Sequence, residues 1–354
     1  MSTPEFTQYP DLASRALGGS VCTANDELFA QRENLIKPEE PFFDPHEFGH
    51  KGKVYDGWET RRRREVGHDY AIVRLGAAGV VHGVVVDTAY FKGNYPPFVS
   101  IEATSIEGYP PIGDVLNAEW HTIVEKSPAA GDTANIYPVD DRRRWTHVRL
   151  SIYPDGGVAR LRVHGEVIPD PRFLGGTIDL LAAENGGRLI DCSDAFYASP
   201  ANIILPGRAR NMGEGWENAR RRGDGNDYAV FALAAAGFPR YTEIDTSYYV
   251  GNAPGWVSLR TIDARKSDLD DLAAWQEILP RTAVQPDTRH RLLLDGSPAA
   301  THLRLDVYPD GGLSRLRLFG ELDAASASDA YQRWWDALPA SHRSVIPRQA
   351  RADR

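Results

Sequence analysis

DGWETRRRR, from Asp56 to Arg64, returns as EGWENARRR from Glu214 to Arg222, with Trp58 and Trp216 standing 158 positions apart. The same offset carries HDYAIVRL (His68–Leu75) onto NDYAVFAL (Asn226–Leu233). It also carries VDTAYFKGN (Val86–Asn94) onto IDTSYYVGN (Ile244–Asn252). Further on, IYPDGGVARLRVHGE (Ile152–Glu166) matches VYPDGGLSRLRLFGE (Val307–Glu321), with the offset reduced to 155. Three ungapped blocks and a fourth displaced by a small deletion define a duplicated domain. A period of about 160 residues is a whole domain, far longer than a solenoid unit. The copies meet near Phe173–Arg188, which places a first repeat with its N-terminal extension at 1–172. The second repeat, with a helical C-terminal tail, then occupies 173–354.

Within each copy the pattern is that of strands. Tyr70, Ile72 and Arg74 alternate with Ala71, Val73 and Leu75, Val80–Val86 is β-branched, and Val99, Ile101 and Ala103 alternate with polar partners. Val148–Tyr153 and Val158–His164 flank PDGG, whose glycines suit a hairpin turn. Short strands punctuated by Gly and Pro indicate an antiparallel sandwich or jelly roll. One helical stretch per copy is expected, at Ala118–Glu125 and Asp268–Ile278. A further helix is expected over Ala324–Leu338, with Tyr331, Trp334, Trp335 and Leu338 on one face. That aromatic stripe suits packing on its own domain or on a second copy, so a homo-oligomer is expected.

Composition narrows the partners. Apolar residues make up 42% of the 354, enough for two ordinary cores, and the formal charge is −9. A surface of that sign gives no global attraction to phosphate backbones, so nucleic acid is an unsuitable partner. No apolar run approaches the roughly 18–20 residues of a membrane helix, and the polar start from Met1 to Tyr9 lacks a secretory pattern. Two cysteines, Cys22 and Cys192, are too few for a disulfide framework or thiolate metal site. Together these features predict a cytoplasmic protein.

The strings DGWETRRRR, GHDYAIVRLG, VDTAYFKGNYP and YPDGGVARLR resemble the allantoicase family, and the resemblance runs from about Ser14 to Glu321 through both copies. It implies an all-β fold of two tandem galactose-binding-like jelly-roll β-sandwich domains. It also implies hydrolysis of allantoate, a small ureide, to ureidoglycolate and urea in purine breakdown, at a linear amidine-type C–N bond. It brings no cofactor motif, and a weakly bound divalent metal stays open. His46 and His50 stand four apart, but Pro45 and Gly49 interrupt the helix that a zinc pair at this spacing requires.

Comparing the copies sorts the residues. Trp58, Asp69, Tyr70, Asp87, Gly93 and Asn94 recur as Trp216, Asp227, Tyr228, Asp245, Gly251 and Asn252. Large rings of this kind serve cores, and the GN and DGG pairs serve turns. Asp69 and Asp87 read equally as caps of loop amides or as site groups. Glu59 persists as Glu217, whereas His68, Arg61 and Lys92 become Asn226, Ala219 and Val250. The first copy also spans 30 positions from Asp26 to Asp56 where the second needs 20 from Asp194 to Glu214. Its extra loop, Phe42–Tyr55, carries His46, His50, Lys51 and Lys53. That loop reads equally as a solvated excursion. Four adjacent arginines at 61–64 are more commonly an ion-paired or solvated face, although a guanidinium also grips a carboxylate through two parallel bonds.

Removing one urea from allantoate needs a proton on the departing nitrogen, water at the central carbon, and a cationic grip on the carboxylate. Glu59 and His68 are the candidate proton carriers, with Asp87 orienting or sharing that role. Arg61 or Arg62 is the candidate clamp, and Lys92 and Asn94 would address ureido oxygens. Two other readings keep the scaffold and change the function. One is a non-catalytic ligand-binding pair, since fold alone does not fix activity; the other is a hydrolase of a related ureido acid.

Overall fold

The computed structural model describes residues 5–294 and 296–345. Two compact units are present, Met1–Ile168 with Trp334–Arg354, and Pro169–Arg333. The described residues from Trp334 to Val345 therefore group with the first unit, although they follow the second in sequence.

The first unit is built from β1 (Ser20–Ala24), β2 (Asp69–Asp87), β3 (Phe98–Thr104), β4 (His121–Pro128), β5 (Ala134–Pro138), β6 (Arg144–Tyr153) and β7 (Arg160–Val167). All of their pairings are antiparallel. The strand β2 serves two sets of partners in turn. Its first part, Asp69–Arg74, pairs with β1 and β6; register then breaks, and Gly79–Asp87 pairs with β7 while Gly83–Asp87 also takes β5. Since β6 and β7 both run against β2 and are joined by the short YPDGG segment, β2 must reverse at the break. Asp69 lies opposite Ile152 and Asp87 opposite Arg160, so both ends of β2 flank that one segment.

Alternation accounts for the interior. Val99, Ile101, Val148, Leu150, Ile152, Leu161, Val163, Val84 and Val86 are all fully buried. Each contributes about 1.5–3 kcal/mol by leaving water.

The second unit repeats the plan with β8 (Arg188–Cys192), β9 (Asp227–Asp245), β10 (Trp256–Ile262), β11 (Gln276–Ala283), β12 (Arg289–Leu293), β13 (Ala300–Tyr308) and β14 (Arg315–Leu322). Asp227 faces Val307 and Asp245 faces Arg315, the same arrangement around the second YPDGG. The all-β duplicated sandwich expected from the sequence is what forms.

Three local expectations need comment. Ala118–Glu125 and Asp268–Ile278 are not helices. They run into β4 and β11, outer strands whose burial is confined to few positions, and pairing with β3 and β10 decides their conformation. A short α1 (Ile112–Leu116) precedes β4. The PDGG segments are also not simple hairpin turns, because β6 and β7 pair with β2 and not with each other. Their glycines are nonetheless required: Gly156 has φ +146°, and a Cβ there would lie 2.7 Å from the Pro96 nitrogen. The expected C-terminal helix does form, as α2 (Ala324–Ala337), with Trp334 and Leu338 already buried within the chain. Among the described residues no helix is long and apolar enough to cross a membrane.

Four non-glycine residues among those described take left-handed backbone, Tyr90 (φ 69°), Asp132 (54°), Tyr248 (72°) and Asp287 (47°). They form two matched pairs: the Tyr90 amide donates to Asp132 Oδ1 at 2.7 Å, and the Tyr248 amide to Asp287 Oδ1 at 2.8 Å. Holding a side-chain-bearing residue there costs roughly 1–3 kcal/mol.

The loops that precede β2 are anchored by buried arginines. Arg160, 1% exposed, donates to the carbonyls of Glu39, Asp56 and Ala159 and to Asp56 Oδ2. Arg315 repeats this with the carbonyls of Gly207, Glu214 and Ser314. Replacing Arg160 by Met strips the buried partners of their donor. The expected loss is about 3–5 kcal/mol, read as a lower midpoint in urea denaturation.

Candidate active site

The reversal of β2 gathers three loops of the first unit at one end: Asp56–His68 before it, Thr88–Pro97 after it, and the YPDGG segment. Backbone pairing sets their order. Trp58 and Glu59 pair with Val158 and Gly157, the Thr60 amide donates to Gly156 O, and the Gly157 amide to Asn94 O at 2.7 Å. Trp58 is fully buried, and its indole N–H donates to Asp26 O at 2.7 Å. This plants the residue before Glu59 firmly in the fold.

Glu59 is half-buried, and Asn94 Nδ2 donates to its Oε1 at 2.6 Å. Among the described residues no cation pairs with it. Burial pushes its carboxyl above the ordinary carboxylate range, and the Asn94 bond only partly offsets this. The second unit holds the same pair, Asn252 Nδ2 donating to Glu217 Oε1 at 2.7 Å. Of the candidate residues Glu59, His68, Asp87, Arg61, Arg62, Lys92 and Asn94, Glu59 and Asn94 are the two that meet directly.

The others are distributed around them. His68 is exposed and rests on the Tyr153 ring, centroids 4.6 Å apart. Partial burial, then Arg149 and Arg63, hold its imidazole below the ordinary histidine value. No hydrogen bond joins it to Glu59. Asp87 caps the turn that follows it, accepting the Ala89 amide at 2.8 Å, and burial raises its carboxyl. Asp69 is buried and taken up by Arg63 Nη2 at 2.9 Å and Asn25 Nδ2 at 3.0 Å.

The cations are mostly engaged. Arg61 Nε is 2.5 Å from Asp26 Oδ2, and its amide donates to Asp26 Oδ1 at 2.9 Å. Lys92, largely exposed, lies 3.6 Å from Asp132. Arg62 is exposed and has no partner among the described residues, so it is the candidate clamp that is uncommitted. The structure adds residues that were not picked out. Asp26 holds Arg61, Asp155 accepts the Arg63 amide at 2.8 Å, and Phe91 lies against Gly57 and Gly157. Recurrence of Asp26 as Asp194, which likewise receives the Ala219 amide, was the available signal.

The extra loop of the first copy is built over this end. Phe43 stacks on Tyr55 and Tyr90, Tyr55 stacks on Phe91, and Lys53 lies over Phe43 and Phe48. His46 and His50 are exposed on it. Among the described residues no three His, Cys, Asp or Glu side chains group as a metal ion requires.

Fold and site together define a tandem β-sandwich protein whose repeats each carry a carboxylate–amide pair among the loops at one end. A family model described as an allantoicase repeat matches residues 10–168 and again 178–323. A protein of Nocardia farcinica named "Probable allantoicase" is 54% identical, covering 90% of this chain and 95% of the relative. One of the same name from Streptomyces coelicolor is 50% identical, covering 91% and 88%. The crystal structure of allantoicase from Saccharomyces cerevisiae is similar at TM-score 0.77 and 35% identity, covering 88% of this chain and 92% of that one. The chain belongs to the allantoicase family.

Asn94 favours the charged form of Glu59, so Asn94→Ala should move the Glu59 titration to still higher pH. Carboxyl-carbon NMR of the labelled protein reads this directly, and Asn252→Ala should leave the Glu59 resonance in place.

Proposed function

We propose that the chain hydrolyses allantoate to ureidoglycolate and urea, with Glu59 as the proton carrier of the first repeat. The observation that carries the assignment is a half-buried carboxylate, held by Asn94, with a raised pKa and no cation partner among the described residues. A carboxyl shifted toward the working pH transfers protons best, and such a group contributes roughly 10²–10⁴-fold.

In this scheme Glu59 takes a proton from water as the water oxygen bonds to the central carbon. The carbon–nitrogen bond to one ureido arm breaks, its electron pair stays on nitrogen, and that nitrogen accepts the proton to leave as urea. The remaining ureido nitrogen shares the positive charge that builds on carbon. Arg62, uncommitted and on the same segment, is the candidate grip for the substrate carboxylate, with Arg61 available if it exchanges Asp26 for substrate. Asn94 and Lys92 address ureido oxygens, and His68 is a second proton acceptor at the rim. Asp87 acts through the turn it caps.

Cytoplasmic location and self-association belong to the same proposal. Because Trp334 and Leu338 are buried within the chain, a second copy would have to use another surface than the C-terminal stripe.

The purified protein should release urea from allantoate both with and without a chelator. Glu59→Gln should lower kcat by about 10²–10⁴-fold while the thermal midpoint stays near that of the parent. Unchanged turnover in this variant would remove Glu59 from the reaction. Binding of allantoate without any urea release would return the chain to the ligand-binding reading.

A further inference from the structure

The turn that delivers Asn94 to Glu59 contains an unusual choice of residue. Tyr90 occupies the left-handed region at φ 69°, where glycine is at ease and a bulky side chain is not. Nothing in the packing asks for tyrosine there. Its side chain is exposed, and its phenol oxygen has no hydrogen-bond partner among the described residues. The second unit repeats the choice at Tyr248, φ 72°, also exposed and also with an unpartnered phenol. Phe43 covers one face of the Tyr90 ring, but that ring comes from the loop peculiar to the first copy, so it does not account for Tyr248.

The conformation itself is actively held. Asp132 and Asp287, themselves left-handed, receive the two tyrosine amides. The Thr88 hydroxyl donates to the carbonyls of Ala130 and Thr133, and the Thr246 hydroxyl to those of Gln285 and Thr288, which ties each turn to the loop bearing its aspartate. Strain that is kept up by its surroundings, at a side chain offering neither burial nor a bond to the fold, points to a use outside the fold. Each such tyrosine sits four residues before the asparagine that holds the candidate carboxylate.

We propose that Tyr90 and Tyr248 are ligand-contacting residues, each presenting the open face of its ring to a planar ureido group beside the Glu–Asn pair of its own repeat. This rests on the loop end of each unit being the ureide site. A flat, conjugated ureido arm matches a ring face, and the free phenol can donate to its oxygen.

The test uses the opposing demands of folding and binding. Tyr90→Gly and Tyr90→Asn put residues tolerant of φ 69° into the same backbone, so the thermal midpoint should hold or rise. Allantoate kcat/KM should fall at least tenfold, chiefly through KM. Tyr90→Phe should retain the midpoint and lose less activity than the glycine variant. Tyr248→Gly and Tyr248→Asn apply the same test to the second repeat. Full activity in the glycine and asparagine variants of a repeat overturns the proposal for that repeat. So does a loss of activity that only tracks a fall in midpoint. Glu59→Gln run alongside separates the readings: if it keeps its turnover while Tyr90→Gly loses, the carboxylate assignment fails and the tyrosine contact stands.

Discussion

A nineteen-residue strand that begins opposite Ile152 and ends opposite Arg160 leaves its own fold no choice about where the loops go. Both halves of β2 run antiparallel to neighbours joined by a six-residue link, so the strand has to double back, and its two ends must meet at that link. Every side chain of the candidate site hangs from one of these three places. Glu59 is zipped to Gly157, Asn94 accepts the Gly157 amide through its carbonyl, and Arg63 spans Asp155 and Asp69. The second unit reproduces the constraint around Tyr308–Ser314, and the Glu217–Asn252 pair appears there in the same setting.

Electrostatics then differentiates residues that look alike in a list. Of the arginines at 61–64, Arg63 is consumed by a buried carboxylate and Arg61 by Asp26, while Arg62 stays uncommitted. The carboxylates divide similarly. Asp69 is paired with Arg63, Asp87 is occupied by the turn it caps, and Glu59 has an amide and no cation as its partner among the described residues. A buried acid without a cation is costly to ionise, and that cost is what brings its proton exchange closer to neutral pH.

Much of this is legible in the sequence itself. Recurrence of GWE, DYA, DT and YPDGG sets the duplication and the strand class, because matching turn residues in the same order demand matching turns. Two stretches misled. His121–Pro128 and Gln276–Ala283 lie at the outer side of their sheets with few buried positions, so the alternation that marks a strand is faint, and pairing decides what local preference does not. The link between β6 and β7 was read as a hairpin because its sequence records a tight turn without recording which strands the turn connects. At the site, Glu59 and Asn94 are 35 positions apart, and only the closure of the sandwich brings them to 2.6 Å. His68 shares with Glu59 a motif segment at a strand end, and the fold adds its contact with the Tyr153 ring, which the sequence does not record.

Arg160 and Arg315 grip their loops mainly by carbonyl oxygens, a feature every residue shares. An anchor of that kind is blind to side chains and indifferent to what lies between its holding points. The same clasp accordingly closes on the longer segment ahead of Asp56 and on the shorter one ahead of Glu214. The stretch between can be lengthened, shortened or rewritten while the frame around Glu59 or Glu217 stays put. Duplication thus left this lineage with two equal frames and freedom to give one of them a new wall.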